Sequence, residues 1–250
     1  MKYKILSLFP EMFANFKTSS IIGRAIDSKK IDIDIVNFRD YTNFKNNKVD
    51  DTIYGGGSGM LIAAEPIDLA VESIKETLPK NSKTKYIYMS PRGKKLTQKV
   101  AKEIVQNADN LIILCGHYEG VDERILKLHN FEEISIGDYI LTGGELASMI
   151  LIDTTARLVE SVITKESLDS ESFENSLLEY PQYTKPVEYK SLKVPEVLLS
   201  GHHQKIEDYR RKQSIYITYK NRPDLLNEAI LNGTVKQNEL EEIIKEGGNS

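Results

Sequence analysis

Apolar positions along the chain alternate between two periods, and the alternation recurs often enough to lay out a domain. Residues 2 to 9 and 31 to 38 alternate or run apolar as strands, and Thr18 to Lys29 between them reads as a helix. A helix near 65 to 78, the strand KYIYMS at 85 to 90 and a helix from Thr97 to about Asn107 continue the series. Leu111 to Leu114 reads as a buried strand and Glu132 to Ile136 as a short one, and an apolar helix follows Gly143 and Gly144 as far as about Arg157. Strands alternating with helices predict an α/β domain with a mainly parallel sheet and helices on both faces, ending near residue 160. Residues 161 to 182, rich in Ser and Glu and weakly periodic, predict a mobile linker and the start of a second domain. Beyond them strand signals vanish, and helical patterns dominate from Val194 to Lys245, punctuated by Pro223 and Gly233.

Glycine corners sit where the predicted strands end. Gly116 and Gly120 let the backbone turn sharply around Tyr118 and Glu119, and Gly137 opens the loop IGDYILTGG, which Gly143 and Gly144 close. Open α/β sheets bind ligands outside the carboxyl ends of their strands, and glycine lets a flat ligand approach peptide groups directly. Two such loops at neighbouring strand ends predict one ligand crevice. Asn43 to Gly59 is a long polar loop with its own glycine run, too long to be only a connector. MSPRGKK, residues 89 to 95, reads on its own as a turn with exposed cations.

Composition narrows the picture. A chain of 250 residues, 40% hydrophobic and 28% charged, can bury one large core or two modest ones. Its one cysteine, Cys115, excludes an internal disulfide and a multi-cysteine zinc site and points to the cytoplasm. No apolar run approaches 18 residues, and Pro10 and Glu11 interrupt the place where a secretory signal would continue. A net charge of −4 argues against nucleic acid, yet Tyr183 to Arg222 carries nine Lys or Arg against four acids, a local +5. Tyr180, Tyr183, Tyr189, Tyr209, Tyr216 and Tyr219 lie before or among those cations and offer faces on which bases can stack.

Nucleotide-hydrolase chemistry is disfavoured: YGGGSGM lacks the Lys-Ser or Lys-Thr of a phosphate-binding loop and the third glycine of the dinucleotide fingerprint. His117, His129, His202 and His203 have no metal-ligand spacing with other ligands and read as structural or surface residues. Acids crowd the glycine-rich region as Glu119, Asp122, Asp138, Glu145 and Asp153.

Six motifs in order, LFPEMF, VDDTIYGGGSGM, SPRGKKLTQ, CGHYEGVDERI, SIGDYILTGGELASMILIDTTAR and LLEYPQYTKP, closely resemble the bacterial tRNA (guanine-37-N1)-methyltransferase family, TrmD type. The likeness covers nearly the whole chain. It implies a SPOUT-superfamily α/β domain over 1–160 whose parallel sheet, flanked by helices, ends in a deep trefoil knot. A linker over 161–175 and a smaller all-helical tRNA-binding domain over 176–250 would follow. Periodicity alone argues against a knot. The resemblance further implies a homodimer with its active site between subunits, no membrane association, and S-adenosylmethionine bound bent inside the knot. The matching positions are Tyr88, Met89, Ser90 and Pro91 in one loop, and Gly116, Tyr118, Glu119 and Gly120 in a second. The third loop supplies Ser135, Ile136, Gly137, Asp138, Tyr139, Ile140, Leu141, Gly143 and Gly144.

N1 of guanine carries a proton at neutral pH, so methylating it needs a base at N1 and a donor for the charge growing on O6. By resemblance Arg157 is the donor, and the family base is an aspartate directly before Ser-Phe. Here Glu171 precedes Ser172 and Phe173, in a linker one residue shorter than the usual pattern, so a longer side chain restores reach; Asp169, two residues upstream, is the alternative. The resemblance also implies dependence on magnesium, with Glu119 as its neighbour. It implies a tRNA with guanosines at positions 36 and 37, placing Lys48, Asp50, Tyr54 and Gly59 near the target base and Arg210, Lys212 and Ser214 on the RNA from the C-terminal domain. Two rival readings are a SPOUT relative acting at another RNA position and a non-catalytic tRNA-binding relative.

Overall fold

The computed structural model describes residues 1–164, 171–173 and 175–247, which divide into two compact units, Met1–Ile163 and Thr164–Ser250. In the first unit five strands form one parallel sheet in the order β2-β1-β6-β5-β7. These are β1 (Lys2–Ser7), β2 (Asp32–Asn37), β5 (Thr84–Lys95), β6 (Asn110–Cys115) and β7 (Glu132–Ser135), with β3 (Asp50–Thr52) and β4 (Met60–Ile62) as a separate antiparallel pair. The helices are α1 (Ala14–Thr18), α2 (Ser20–Asp27), α3 (Ala64–Thr77), α4 (Gln98–Asn107), α5 (Glu123–Leu128) and α6 (Glu145–Ala156).

The central strand explains the layering. All six residues of β6 are buried, so its side chains divide by parity between two cores. Leu111, Ile113 and Cys115 join Tyr3, Ile5 and Ile87 under α4 and α6, while Ile112 and Leu114 join Leu6 and Tyr88 under α3 and α5. Helix starts follow capping chemistry: the Thr97 hydroxyl accepts from the Val100 N–H, and the Asp122 carboxylate accepts from the Arg124 N–H. No helix among the described residues is long and apolar enough to cross a membrane.

Residues 90 to 95 are not a free turn. They belong to β5, which pairs with β7 on both sides of a bulge: Ile134 faces Met89 and then Lys94. Arg92 is held there by Glu133 and Glu123 at 3.1 and 3.2 Å, so this cation is neutralised locally. Gly93 is required because a Cβ would come within 2.4 Å of the Glu133–Ile134 peptide. Likewise, the long loop from Asn43 contains β3, paired with β4.

The second unit contains α7 (Glu196–Leu199), and its α8 (His203–Asn221), α9 (Pro223–Leu231) and α10 (Gln237–Gly247) enclose a small core of Leu177, Ile215, Leu226, Ala229, Val235, Leu240 and Ile243. Strand signals do not vanish here. β8 (Glu188–Tyr189) and β9 (Leu192–Lys193) form a two-residue hairpin, with Lys190 and Ser191 both at positive φ. That backbone normally calls for Asn-Gly, so Lys-Ser gives no turn signal in the sequence.

Candidate active site

The bulge within β5 and the loops that leave the carboxyl ends of β6 and β7 meet around one cavity of about 250 Å³. The β5 bulge delivers Ser90 and Pro91 to its wall, with the Ser90 hydroxyl accepting the Arg92 N–H at 3.2 Å. Burial raises the Tyr88 phenol above its ordinary pKa, Glu133 adds to the effect and Arg92 opposes it, so this wall stays neutral. The Gly144 N–H donates to the Gly116 carbonyl at 2.8 Å, locking the third loop onto the second. A Cβ on Gly144 would lie 2.8 Å from Cys115 Cα, and one on Gly116 would lie 2.7 Å from the Tyr88 hydroxyl. Much of the wall is therefore backbone, and only glycine permits it.

The third loop is tied to itself. The Gly137 N–H donates to Ser135 Oγ at 3.2 Å, and that hydroxyl donates back to the Gly137 carbonyl at 3.1 Å. Beneath it Glu145, the first residue of α6, is buried and accepts from the Ser7 hydroxyl at 2.8 Å. Burial, reinforced by Glu145, pushes the Cys115 thiol well above its usual range, so it remains a thiol against Ser148 and is no nucleophile.

Of the seventeen positions matched to the cofactor, the structure brings all but Asp138 to the cavity; Asp138 is exposed and off its wall. His117, Ile134, Thr142 and Ala147 line it as well, beyond the residues the sequence singled out. His117 is the informative addition. Among the described residues its Nδ1 is the buried side-chain polar atom without a hydrogen-bond partner, on a ring packed 4.9 Å from Phe9 and 5.2 Å from Tyr118. An orphaned buried polar atom costs roughly 1–3 kcal/mol, a cost that a ligand hydrogen bond removes. The glycine-walled slit, the acidic rim residue Glu119 and this unmet nitrogen suit a flat heterocycle joined to a cationic chain, as in S-adenosylmethionine.

The loop carrying Tyr54 and Gly59 approaches the same cavity. A Cβ on Gly59 would touch the Glu119 carboxylate at 2.7 Å, and the Glu119 N–H donates to the Met60 carbonyl at 3.1 Å. Tyr54 is almost wholly exposed, Asp50 lies on β3, and Lys48 pairs with Asp51 at 3.5 Å.

Arg157 is elsewhere. Tyr3 at the start of β1 meets Thr155 at 3.1 Å, whereas Ser7 at its end meets Glu145, so α6 runs antiparallel to the strand. Its 12 residues span about 18 Å. Arg157 therefore caps the helix at the opposite end from the cavity of its own chain.

In the second unit Glu171 shares a cleft with Tyr180, Arg210 and Ser214. The residues after it are anchored there: the Ser172 hydroxyl accepts the Glu179 N–H at 2.9 Å, and Phe173 sits at φ +78°. Asp169 lies outside the described residues. Ser214 is buried and its hydroxyl donates to the Leu178 carbonyl, so an RNA contact through that hydroxyl requires this bond to open. Arg210 pairs with Glu207 at 2.8 Å, and Lys212 lines a shallow cleft with Tyr209 and Tyr216. A further group, Asp68, Glu72 and His129, is closed by Lys75, whose ammonium lies 2.6 Å from Glu72 and 3.1 Å from His129 Nδ1. Lys75 thus already supplies a cationic partner to Glu72 in this group.

Residues 1–228 match the family described as tRNA (Guanine-1)-methyltransferase TrmD. Among similar proteins, one from Caldicellulosiruptor saccharolyticus named tRNA (guanine-N(1)-)-methyltransferase is 52% identical over 231 residues, 92% of each chain. Proteins of the same name from Ruminiclostridium cellulolyticum and Mycoplasma capricolum are 52% and 48% identical, over 91% and 93% of this chain and 97% and 94% of theirs. With a strand bulge and two strand-end loops around one glycine-walled cavity and a match over most of its length, the chain belongs to the TrmD family of tRNA (guanine-1)-methyltransferases.

Proposed function

We propose that this protein methylates N1 of guanosine 37 in tRNA, next to the anticodon, in the cytoplasm, using S-adenosylmethionine. The convergence of the β5 bulge and two glycine-bearing loops on one cavity carries the reading, together with the shared name of the relatives. When bound, the cofactor supplies a methyl group on a positively charged sulfur that departs as a neutral thioether. The chain's own residues would do the rest. Glu171 takes the N1 proton and the Arg157 guanidinium holds the charge that moves to O6, so no free anion forms. Lys48, Asp50, Tyr54 and Gly59 face the base from the loop beside Glu119, and Arg210, Lys212 and Ser214 belong to the RNA side of the helical domain. Glu119 is assigned to magnesium, since a single rim carboxylate suits an ion that keeps most of its waters.

Two observations support a homodimer. Arg157 lies a helix length from its own cavity, so it would serve a partner's. In addition α6 is apolar on its outer side as well, with Leu146 and Ile150 50% and 44% exposed, close in sequence to exposed Ile140 and Leu141. A helix apolar all round is normally buried all round. The segment from β5 through α6 is assigned to the family's deep trefoil knot, a reading supported by the third loop bonding back onto Gly116.

Labelled methyl transfer to an unmodified tRNA with guanosines at 36 and 37 tests the proposal. Transfer is expected to that RNA and not to one with adenosine at 37. Glu171→Ala is expected to lose about 10²–10⁴ in rate with cofactor binding retained. Asp169→Ala as the dead variant instead would move the base, and transfer to the adenosine-37 RNA would sink the site assignment.

A further inference from the structure

A second cavity, of about 470 Å³, lies wholly within the helical unit, and of its lining the mechanism uses Arg210 alone. One wall is the strap Tyr180 to Lys185 with Val187, and the other is the start of α8 with Ile206 and Arg210, over a floor of Val194, Leu198 and Leu199. We propose that this cleft receives an unpaired base of the RNA substrate, distinct from the target guanosine, stacked on Tyr183.

Tyr183 is built as a platform. Its ring lines the cleft, and 48% of the residue stays exposed. Tyr180 already carries a planar cation, with the Arg210 guanidinium 5.0 Å from its ring centre. A ring with an open face is the element that single-strand binders present to a base, because every base has a π-face. Lys185 forms no ion pair among the described residues and stands on the rim, where the phosphate next to a stacked base would lie. Gln182 and Thr184 on the strap add polar groups that can meet base edges. The local charge of +5 over Tyr183 to Arg222 complements a polyanion, in a chain that is −4 overall. An apolar peptide would use the floor equally well but would leave the rim cation and the stacking face without a purpose.

This inference rests on an RNA substrate, so the test separates the two. The full-length protein is titrated with the unmodified tRNA by fluorescence anisotropy, and methyl transfer is measured on the same preparations. Tyr183→Ala is expected to raise the dissociation constant and KM for tRNA about tenfold, with kcat and cofactor affinity unchanged. Tyr183→Phe is expected to stay within about twofold of wild type, and Tyr183→Leu, which keeps bulk without a π-face, to behave like Tyr183→Ala. The salt slope should not change in Tyr183→Ala but should shrink in Lys185→Ala, by about 0.7 for one single-stranded phosphate contact. Unaltered tRNA affinity in Tyr183→Ala and Tyr183→Leu overturns the cleft assignment and leaves the enzyme reading intact. Lost affinity accompanied by a changed mass in light scattering overturns it in favour of a second copy of the chain. A wild type that binds no tRNA removes the RNA reading itself, and this inference with it.

Discussion

A Cβ at Gly93, Gly116 or Gly144 of the first unit would stand within 3 Å of another atom, whereas one at Gly201 or Gly233 of the second would meet nothing within 4 Å. The contrast extends to recognition. The cofactor cavity is walled by peptide groups locked to one another, so its shape follows from main-chain path and tolerates little change. The clefts of the helical unit are made by side chains such as Tyr180, Tyr183, Lys185 and Arg210, each replaceable on its own. Glu171 precedes a turn anchored in that second, side-chain kind of surface. A change of side-chain length can be absorbed at a surface of that kind, whereas a methyl added at Gly144 meets main-chain atoms.

The strongest way to break this contrast is to ask whether a single chain can work alone. Arg157→Ala should reduce methyl transfer by about 10²–10³ while cofactor binding persists. Gly144→Ala should be inactive because its cavity no longer forms. If Arg157 serves the cavity of a partner, mixed dimers of the two inactive chains regain one working site and about half the activity of a wild-type dimer. Mixed dimers as inactive as their parents would place Arg157 in its own chain's cavity, against the antiparallel run of α6.

Next in size is the glycine comparison itself. In Gly144→Ala the new methyl meets Cys115 Cα and the Gly116 nitrogen, both main chain, so the loops must part. Cofactor affinity should fall at least about tenfold, and the loss of packing should cost roughly 1–3 kcal/mol. Gly201→Ala puts a side chain at φ +71° but against open space, and should cost about 1 kcal/mol with cofactor affinity unchanged. Isothermal titration and thermal melts on both variants decide it; equal effects would mean that the cavity is not held by backbone contact.

The alternation of strands and helices in the first unit was legible because a sheet covered on both faces must be apolar through its middle, as β6 is at every position. The crevice was legible from its glycines. Three features were not, each for a local reason. The β5 bulge hid behind Ser90, Pro91 and Gly93, which resemble a turn until the pairing of Lys94 with Ile134 is seen. The β8–β9 hairpin turns through Lys190 and Ser191, residues with no turn signature. His117 read as a structural histidine because an unmet hydrogen bond is a property of its surroundings, created by Phe9 and Tyr118 packing around the ring.

That histidine gives a smaller and sharper test, since a residue kept for a ligand should cost the empty protein something. His117→Phe removes the orphaned nitrogen and keeps the aromatic contact with Phe9. The apo protein is expected to melt at the same temperature or higher, while cofactor affinity falls about tenfold, the value of one hydrogen bond to a charged or strongly polar group. A variant that loses stability and keeps affinity would make His117 a core residue.

The smallest effect separates the two units by pH. Arg211 in α8 clamps Glu239 in α10 through paired bonds of 2.6 and 3.0 Å and also donates to the Thr234 carbonyl. The bond to Arg211 holds the Glu239 carboxylate below its usual pKa, against a weaker push from burial. A lowered folded-state pKa contributes stability that is complete above the unfolded value, near 4.3, and is lost as pH falls through the folded one. For a pair this exposed the contribution is about 1 kcal/mol or less. Thermal melts of wild type and Glu239→Gln should therefore differ at pH 7 and converge below about pH 4. Cofactor affinity should be the same in both proteins at pH 7, because the clamp binds one helix of the second unit to another and the cavity is built from the main chain of the first.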